Sequence, residues 1–232
     1  MQWPALAEEL FGTDHDIRAE GDFLRGSARF DGATLAVIGS TNHAAIGVAM
    51  ALQQARAVLD TIALHPGRAI LLLVDTQGQQ LRRRDELLGI NRAMAPLGCC
   101  VDLARRRGHR VIGLVYDQAL SGGFITSGLI ADACYALPEA EIRVMRIPAM
   151  ARVTKIAEAR LTELSQSNPV FAPGVQNYVA MGGVCALWTG DLRRCLRDAL
   201  RDSPTTDERA RDGAARGGRR LAHAVAQQVL AA

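Results

Sequence analysis

An α/β fold, a parallel sheet covered by helices, is predicted by three features of the sequence. Runs of strand character, "TLAVIG" (34–39), "AILLLVD" (69–75) and "RVIGLVY" (110–116), alternate with longer segments of helical spacing. Each run is apolar throughout, as a parallel strand buried on both faces requires. Nearly half of the residues are apolar but only 4% are aromatic, so the core must be built from Ala, Leu, Val and Ile, which suits helices laid on a sheet. At 232 residues the chain suffices for one such domain and is short for two.

The elements follow in order. Residues 1–30 are mixed and charged and read as an N-terminal arm packing on the domain or on a partner. The regular pattern fills 31–202. After the first strand, Asn42 is placed to cap a helix, "HAAIGVAMALQQARAVLDTIAL" (43–64), which His65-Pro66-Gly67 stops. The second strand leads through a polar loop, "TQGQQLRRRD" (76–85), to a helix over 86–107 that Pro96 should kink or divide. The third strand enters an apolar helix through Gly122 and Gly123. Helices are then predicted near 149–166, 174–182 and 191–202, and residues 203–232 read as a polar linker with a last amphipathic helix.

Composition excludes several functions. The formal charge of +3 comes almost wholly from arginine, Lys155 being the only lysine, and the basic residues are interspersed with acidic ones, so nucleic acid is not a predicted partner. The runs Arg82-Arg83-Arg84 and Arg105-Arg106-Arg107 read as solvated helix faces or caps, with an anionic carrier or a CoA-like phosphate as the functional alternative. Five cysteines, odd in number and without a C-x-x-C pair, point to free thiols in a reduced, cytoplasmic setting. The start "MQWPALAEELFG" lacks signal-peptide features, and no apolar run reaches the ~18 residues of a membrane span. His15, His43, His65, His109 and His223 are far apart in sequence, so no metal site is predicted.

Four stretches carry candidate chemistry. "GSTNHAAIG" (39–47) follows a strand but lacks the dinucleotide and Walker patterns; Asn42 reads as a cap and His43 as a candidate for ligand contact. "ALSGG" (119–123) is one residue from the nucleophile elbow G-x-S-x-G, which makes a serine hydrolase using Ser121 a competitor, with His223 as the base its chain order would require. In "VDTQGQQ" (74–80), Asp75 either caps a turn or joins Thr76, Gln77, Gly78 and Gln79 at a binding site, Gly78 allowing close approach of backbone to ligand. A helix entered through Gly122 and Gly123 presents free N–H groups that an acyl oxygen can reach, an oxyanion hole without side chains, and the same glycines would permit close packing.

"ALSGGFITSGLIADACYALPEAEIRVM" (119–145), with "VDTQG" about forty-five residues before it, resembles the crotonase superfamily and its carboxyltransferase members. With "NPVFAPGVQNYVAMGGVCALWTGDL" (168–192), the likeness is to the malonate decarboxylase gamma subunit family, over about residues 31–201. It implies a crotonase-like fold of repeated ββα/βα units with a parallel sheet and C-terminal helices. It further implies a decarboxylase subunit active only with its beta partner, turning malonyl-S-acyl carrier protein into the acetyl thioester and CO2. The backbone N–H groups of Gly122, Gly123 and Phe124 would stabilise the oxyanion, and the Phe124 side chain would exclude solvent. Ser121 and residues 75–79 would bind substrate. Implied partners are the beta subunit, the acyl carrier (delta) subunit with its CoA-derived prosthetic group and the alpha acyl-transferase; no cofactor is bound by this chain itself. A docking subunit without catalytic residues and a subunit of a biotin-dependent carboxyltransferase are the alternatives, the latter weakened by Gln79-Gln80-Leu81 where those enzymes continue with proline and glycine.

Overall fold

The computed structural model describes residues 1–166, 174–204, 206–218 and 220–232. In chain order it contains α1 (Trp3–Phe11), β1 (Arg18–Glu20), β2 (Phe23–Phe30), β3 (Ala33–Ser40), β4 (Ala44–Ile46), α2 (Val48–Leu64) and β5 (Ile70–Gln79). Next come α3 (Arg83–Leu87), α4 (Ile90–Arg106), β6 (Val111–Leu120), α5 (Ser121–Phe124), a π-helical turn (Ile125–Leu129), β7 (Ala133–Ala136) and β8 (Glu141–Arg143). The remainder is α6 (Ile147–Thr154), α7 (Glu158–Ser165), α8 (Val175–Ala180), β9 (Ala186–Leu187), α9 (Leu192–Asp202), α10 (Arg209–Ala215) and α11 (Arg220–Leu230).

One sheet runs β1-β2-β3-β5-β6-β7-β9. It is parallel from β3 onward and antiparallel across β1, β2 and β3. The continuous apolar runs are explained by burial on both faces. Leu71 and Leu73 pack with Leu6, Leu10 and Leu196 of α1 and α9, while Ile70 and Leu72 pack with Val58 of α2 and Leu97 and Val101 of α4. A third cluster gathers Val74, Val115, Phe124, Ile142 and Val184 beneath the strand ends.

Several sequence expectations change. Residues 1–30 are no peripheral arm: β2 pairs along its length with β3, and Leu6, Leu10, Leu24 and Phe30 are buried in the core. Their charged residues hid this because β1 and part of β2 are exposed. Asn42 does not cap a helix. A short strand, β4, intervenes, and Asn42 donates instead to the Asp22 carboxylate at 3.1 Å. Helix α2 starts at Val48, whose N–H is accepted at 2.9 Å by the carboxylate of Asp85, from the start of α3.

The predicted loop 76–85 begins as strand, since β5 continues to Gln79, and ends in α3. The helical region after it is divided at Gly89, in the left-handed conformation (φ 70°), and α4 then runs on through Pro96. The helix expected near 149–166 is two, α6 and α7, and the linker 203–218 contains α10. Among the described residues, no helix is long and apolar enough to cross a membrane.

The distant cap makes a prediction. Asp85→Ala leaves the first turn of α2 without its carboxylate acceptor and should lower the unfolding free energy by about 1–2 kcal/mol. Urea unfolding of the two proteins checks this; equal midpoints and slopes would refute it.

Candidate active site at the strand ends

The carboxyl ends of β5 and β6 do not stay in simple register. The ladder pairs Val74 with Val115, breaks, and resumes at Thr76 with Ala119, so Asp75 stands opposite Tyr116, Asp117 and Gln118. Such bulges re-aim side chains. Beyond the break β5 pairs outward with β4, from Ala44↔Thr76 to Ile46↔Gln79, and β6 with β8, from Gln118↔Glu141 to Leu120↔Arg143. The buried Thr76 hydroxyl donates to the Ala44 carbonyl at 2.6 Å and accepts the Gly78 N–H at 3.0 Å, which fixes the strand end. Gly78 itself has φ 103°, a conformation a side chain would strain.

The glycine turn packs directly on that strand end. A Cβ on Gly123 would lie 2.8 Å from the Gly78 carbonyl carbon, 2.9 Å from its Cα and 3.0 Å from its oxygen, so the two backbones touch. A Cβ on Gly122 would meet only side-chain ends, Gln79 Oε1 at 3.0 Å and Met94 Cε at 3.8 Å. Gln79 Oε1 is buried there without a hydrogen bond. With Leu120 as the N-cap of α5, the N–H groups of Ser121, Gly122 and Gly123 precede the first helical hydrogen bond, whereas that of Phe124 faces the Leu120 carbonyl.

Two predicted roles are corrected by these positions. The Phe124 ring is 3% exposed and meets Tyr178 edge-on at 6.4 Å, so it belongs to the core and not to the lining of the cleft beside the strand ends. The Ser121 hydroxyl donates to the Val144 carbonyl at 2.5 Å. His223, the base the hydrolase reading required, lines a different cavity with Leu129 and Tyr178. Ser121 therefore has the strained backbone of an elbow (φ 52°) without its catalytic base.

An open cleft of about 870 Å³ lies beside the strand ends and is lined by His43, Gln77, Gln79, Arg82, Arg84 and Asp85 among others. Of the predicted binding residues, Gln77 and Gln79 face it. Asp75, Thr76 and Gly78 are buried behind it. Asp75 accepts the His43 N–H at 2.9 Å; burial pushes its carboxyl pKa up, and the His43 N–H and ring oppose this. Beneath it, the Tyr116 hydroxyl donates to the Ser40 carbonyl at 2.9 Å, and burial pushes that phenol up as well. The sequence reading missed Asp117, though an acid just past a buried strand run is the same signal that singled out Asp75.

The comparisons bear on what this geometry serves. Residues 41–232 match the malonate decarboxylase gamma subunit family. The chain belongs to that family. A malonyl-S-ACP:biotin-protein carboxyltransferase of Malonomonas rubra is 34% identical over 154 residues, 63% of this chain. The chain spans about half of that relative's length, 53%. Among solved structures, a Pseudomonas malonate decarboxylase MdcD-MdcE hetero-dimer is similar at 27% identity and a TM-score of 0.77, over 97% of this chain and 96% of that one. A Pseudomonas malonate decarboxylase hetero-tetramer in complex with coenzyme A gives 25% and 0.79, over 97% and 95%. Transcarboxylase 12S, at 21% identity and a TM-score of 0.72 over 85% of this chain and 40% of that one, shares the fold. The fold is crotonase-like, as the motif over 119–145 implied. The start of the third matching stretch, residues 168–173, lies outside the described residues.

The two glycines should respond differently to substitution. Gly123→Ala drives a methyl into backbone and should cost about 1–3 kcal/mol of stability. Gly122→Ala meets the movable end of Gln79 and should cost less than about 1 kcal/mol, since a flexible neighbour can give way. Thermal or urea unfolding separates them, and equal losses would contradict the packing described.

Proposed function

We propose that this chain forms, with a beta subunit, the site at which malonyl-S-acyl carrier protein loses CO2 to become the acetyl thioester. Loss of CO2 leaves an enolate, so the protein must hold a developing oxyanion in a site shielded from water. The N–H groups of Gly122 and Gly123, which have no partner within their helix, are the donors we assign. The observation that carries this reading is the backbone contact of Gly78 with Gly123, which holds the turn rigidly at the strand ends beside the cleft. Rigid donors need no reorganisation as charge develops.

The partner reading is supported by the Pseudomonas hetero-dimer and hetero-tetramer, which this chain resembles along nearly its whole length. The thioester would arrive on the CoA-derived prosthetic group of an acyl carrier subunit, with an alpha subunit exchanging malonate for acetate. In this scheme the decarboxylation step draws no cofactor from this chain, and the complex works in the cytoplasm. Carboxyl transfer to biotin is the competing reading that the Malonomonas relative favours. A docking role without catalysis is the other competing reading, since the fold needs Gly123 whether or not it binds an oxyanion.

The test uses the reconstituted complex and malonyl-carrier substrate. The chain alone should show little turnover, and addition of the beta subunit should restore it, insensitive to avidin. Replacing Gly123 by glycolic acid removes its N–H while adding no side chain, and should lower kcat by about 10²- to 10³-fold. Ser121→Ala should keep most activity. Full turnover in the assembled glycolate variant would leave the docking role, and inhibition by avidin would favour the carboxyltransferase.

A further inference from the structure

The β3–β4 loop brings together three side chains that are far apart in sequence. His43 Nε2 lies 3.8 Å from Asp75 Oδ1 and 3.5 Å from Asp117 Oδ1, and the three ligand atoms all fall within 4.8 Å of one another. Both spacings exceed the 2.7–3.2 Å of a normal N–H···O hydrogen bond. The two spacings from the ring are near the ~3.4 Å that separates ligand atoms bound at ~2.1 Å around a tetrahedral ion, and all three atoms lie inside 4.8 Å.

A second observation points the same way. The Asp75 side chain is only 4% exposed, and its Oδ2 already accepts the His43 N–H at 2.9 Å. Its Oδ1, 3.8 Å from the His43 ring nitrogen, is buried without a hydrogen bond of normal geometry, the Gln118 N–H being the other backbone group that acts on this carboxylate. Buried carboxylate oxygens are ordinarily paired or bound to a metal. The His43 ring is half exposed and lines the cleft, which leaves a fourth coordination position open to water or another ligand.

We propose that His43, Asp75 and Asp117 form a site for one divalent transition cation of the Zn2+ type, which fastens the β3–β4 loop to the ends of β5 and β6. One imidazole with two carboxylates suits Zn2+ better than Mg2+ or Ca2+, which prefer oxygen alone. Spacing along the chain gave no hint of it, because each ligand comes from a different strand end. The site does not depend on the reaction proposed above.

The test is calorimetric titration of Zn2+ into the full chain after chelator treatment, with Co2+ as a spectroscopic probe. One ion per chain is expected, with the visible absorption of tetrahedral Co2+ and a Tm raised by Zn2+. His43→Ala and Asp117→Asn should each weaken Zn2+ binding at least tenfold and abolish the Tm rise. Both positions are partly exposed, and Asp117→Asn is isosteric, so it keeps the test open should His43→Ala disturb the loop. No stoichiometric binding, or unchanged Zn2+ affinity in a folded variant, would overturn the proposal.

Discussion

Backbone packed on backbone, Gly78 against Gly123, joins the end of β5 to the turn that follows β6. Neither residue can carry a side chain there: Gly78 is held at φ 103°, and a Cβ on Gly123 would enter the Gly78 peptide. Because the contact involves no rotatable group, it sets where the N–H groups of Gly122 and Gly123 point. Thr76 fixes the strand end through its bonds to Ala44 and Gly78. A chemistry that relies on main-chain donors needs this kind of rigidity.

The rest of the architecture presents those strand ends. The central strands are sandwiched between α1 and α9 on one face and α2 and α4 on the other. The break in register between Val74 and Thr76 then releases the ends of β5 and β6 to pair outward with β4 and β8. The same break turns Asp75 and Asp117 toward His43. One irregularity thus separates the buried sheet from the strand ends beside the cleft.

Much of this was legible in the sequence, for physical reasons. Apolar runs marked the parallel strands because both faces are buried, and the adjacent glycines marked the close turn. What escaped were features carried by contacts between distant residues. Asp85 caps α2 from α3, beyond the intervening strand β5, where local reading assigned the task to Asn42. The arginine runs could not be told apart by sequence: Arg105 binds Asp132, which also accepts the Val111 N–H, whereas Arg82 and Arg84 line the cleft. Phe124, expected to help exclude solvent, has its ring in the core. The cluster of His43, Asp75 and Asp117 exists only after folding.

The central claim is that the Gly78–Gly123 contact positions the glycine turn, and a crystal structure of the Gly123→Ala chain tests it most directly. The added methyl would start 2.8 Å from the Gly78 backbone, inside the ordinary contact distance of 3.4 Å or more. The account predicts that residues 76–79 move away from the turn while the pairing of β3, β5 and β6 below Val74 is unchanged. A structure in which the methyl is accommodated with Gly78 and the turn in their original places would contradict it.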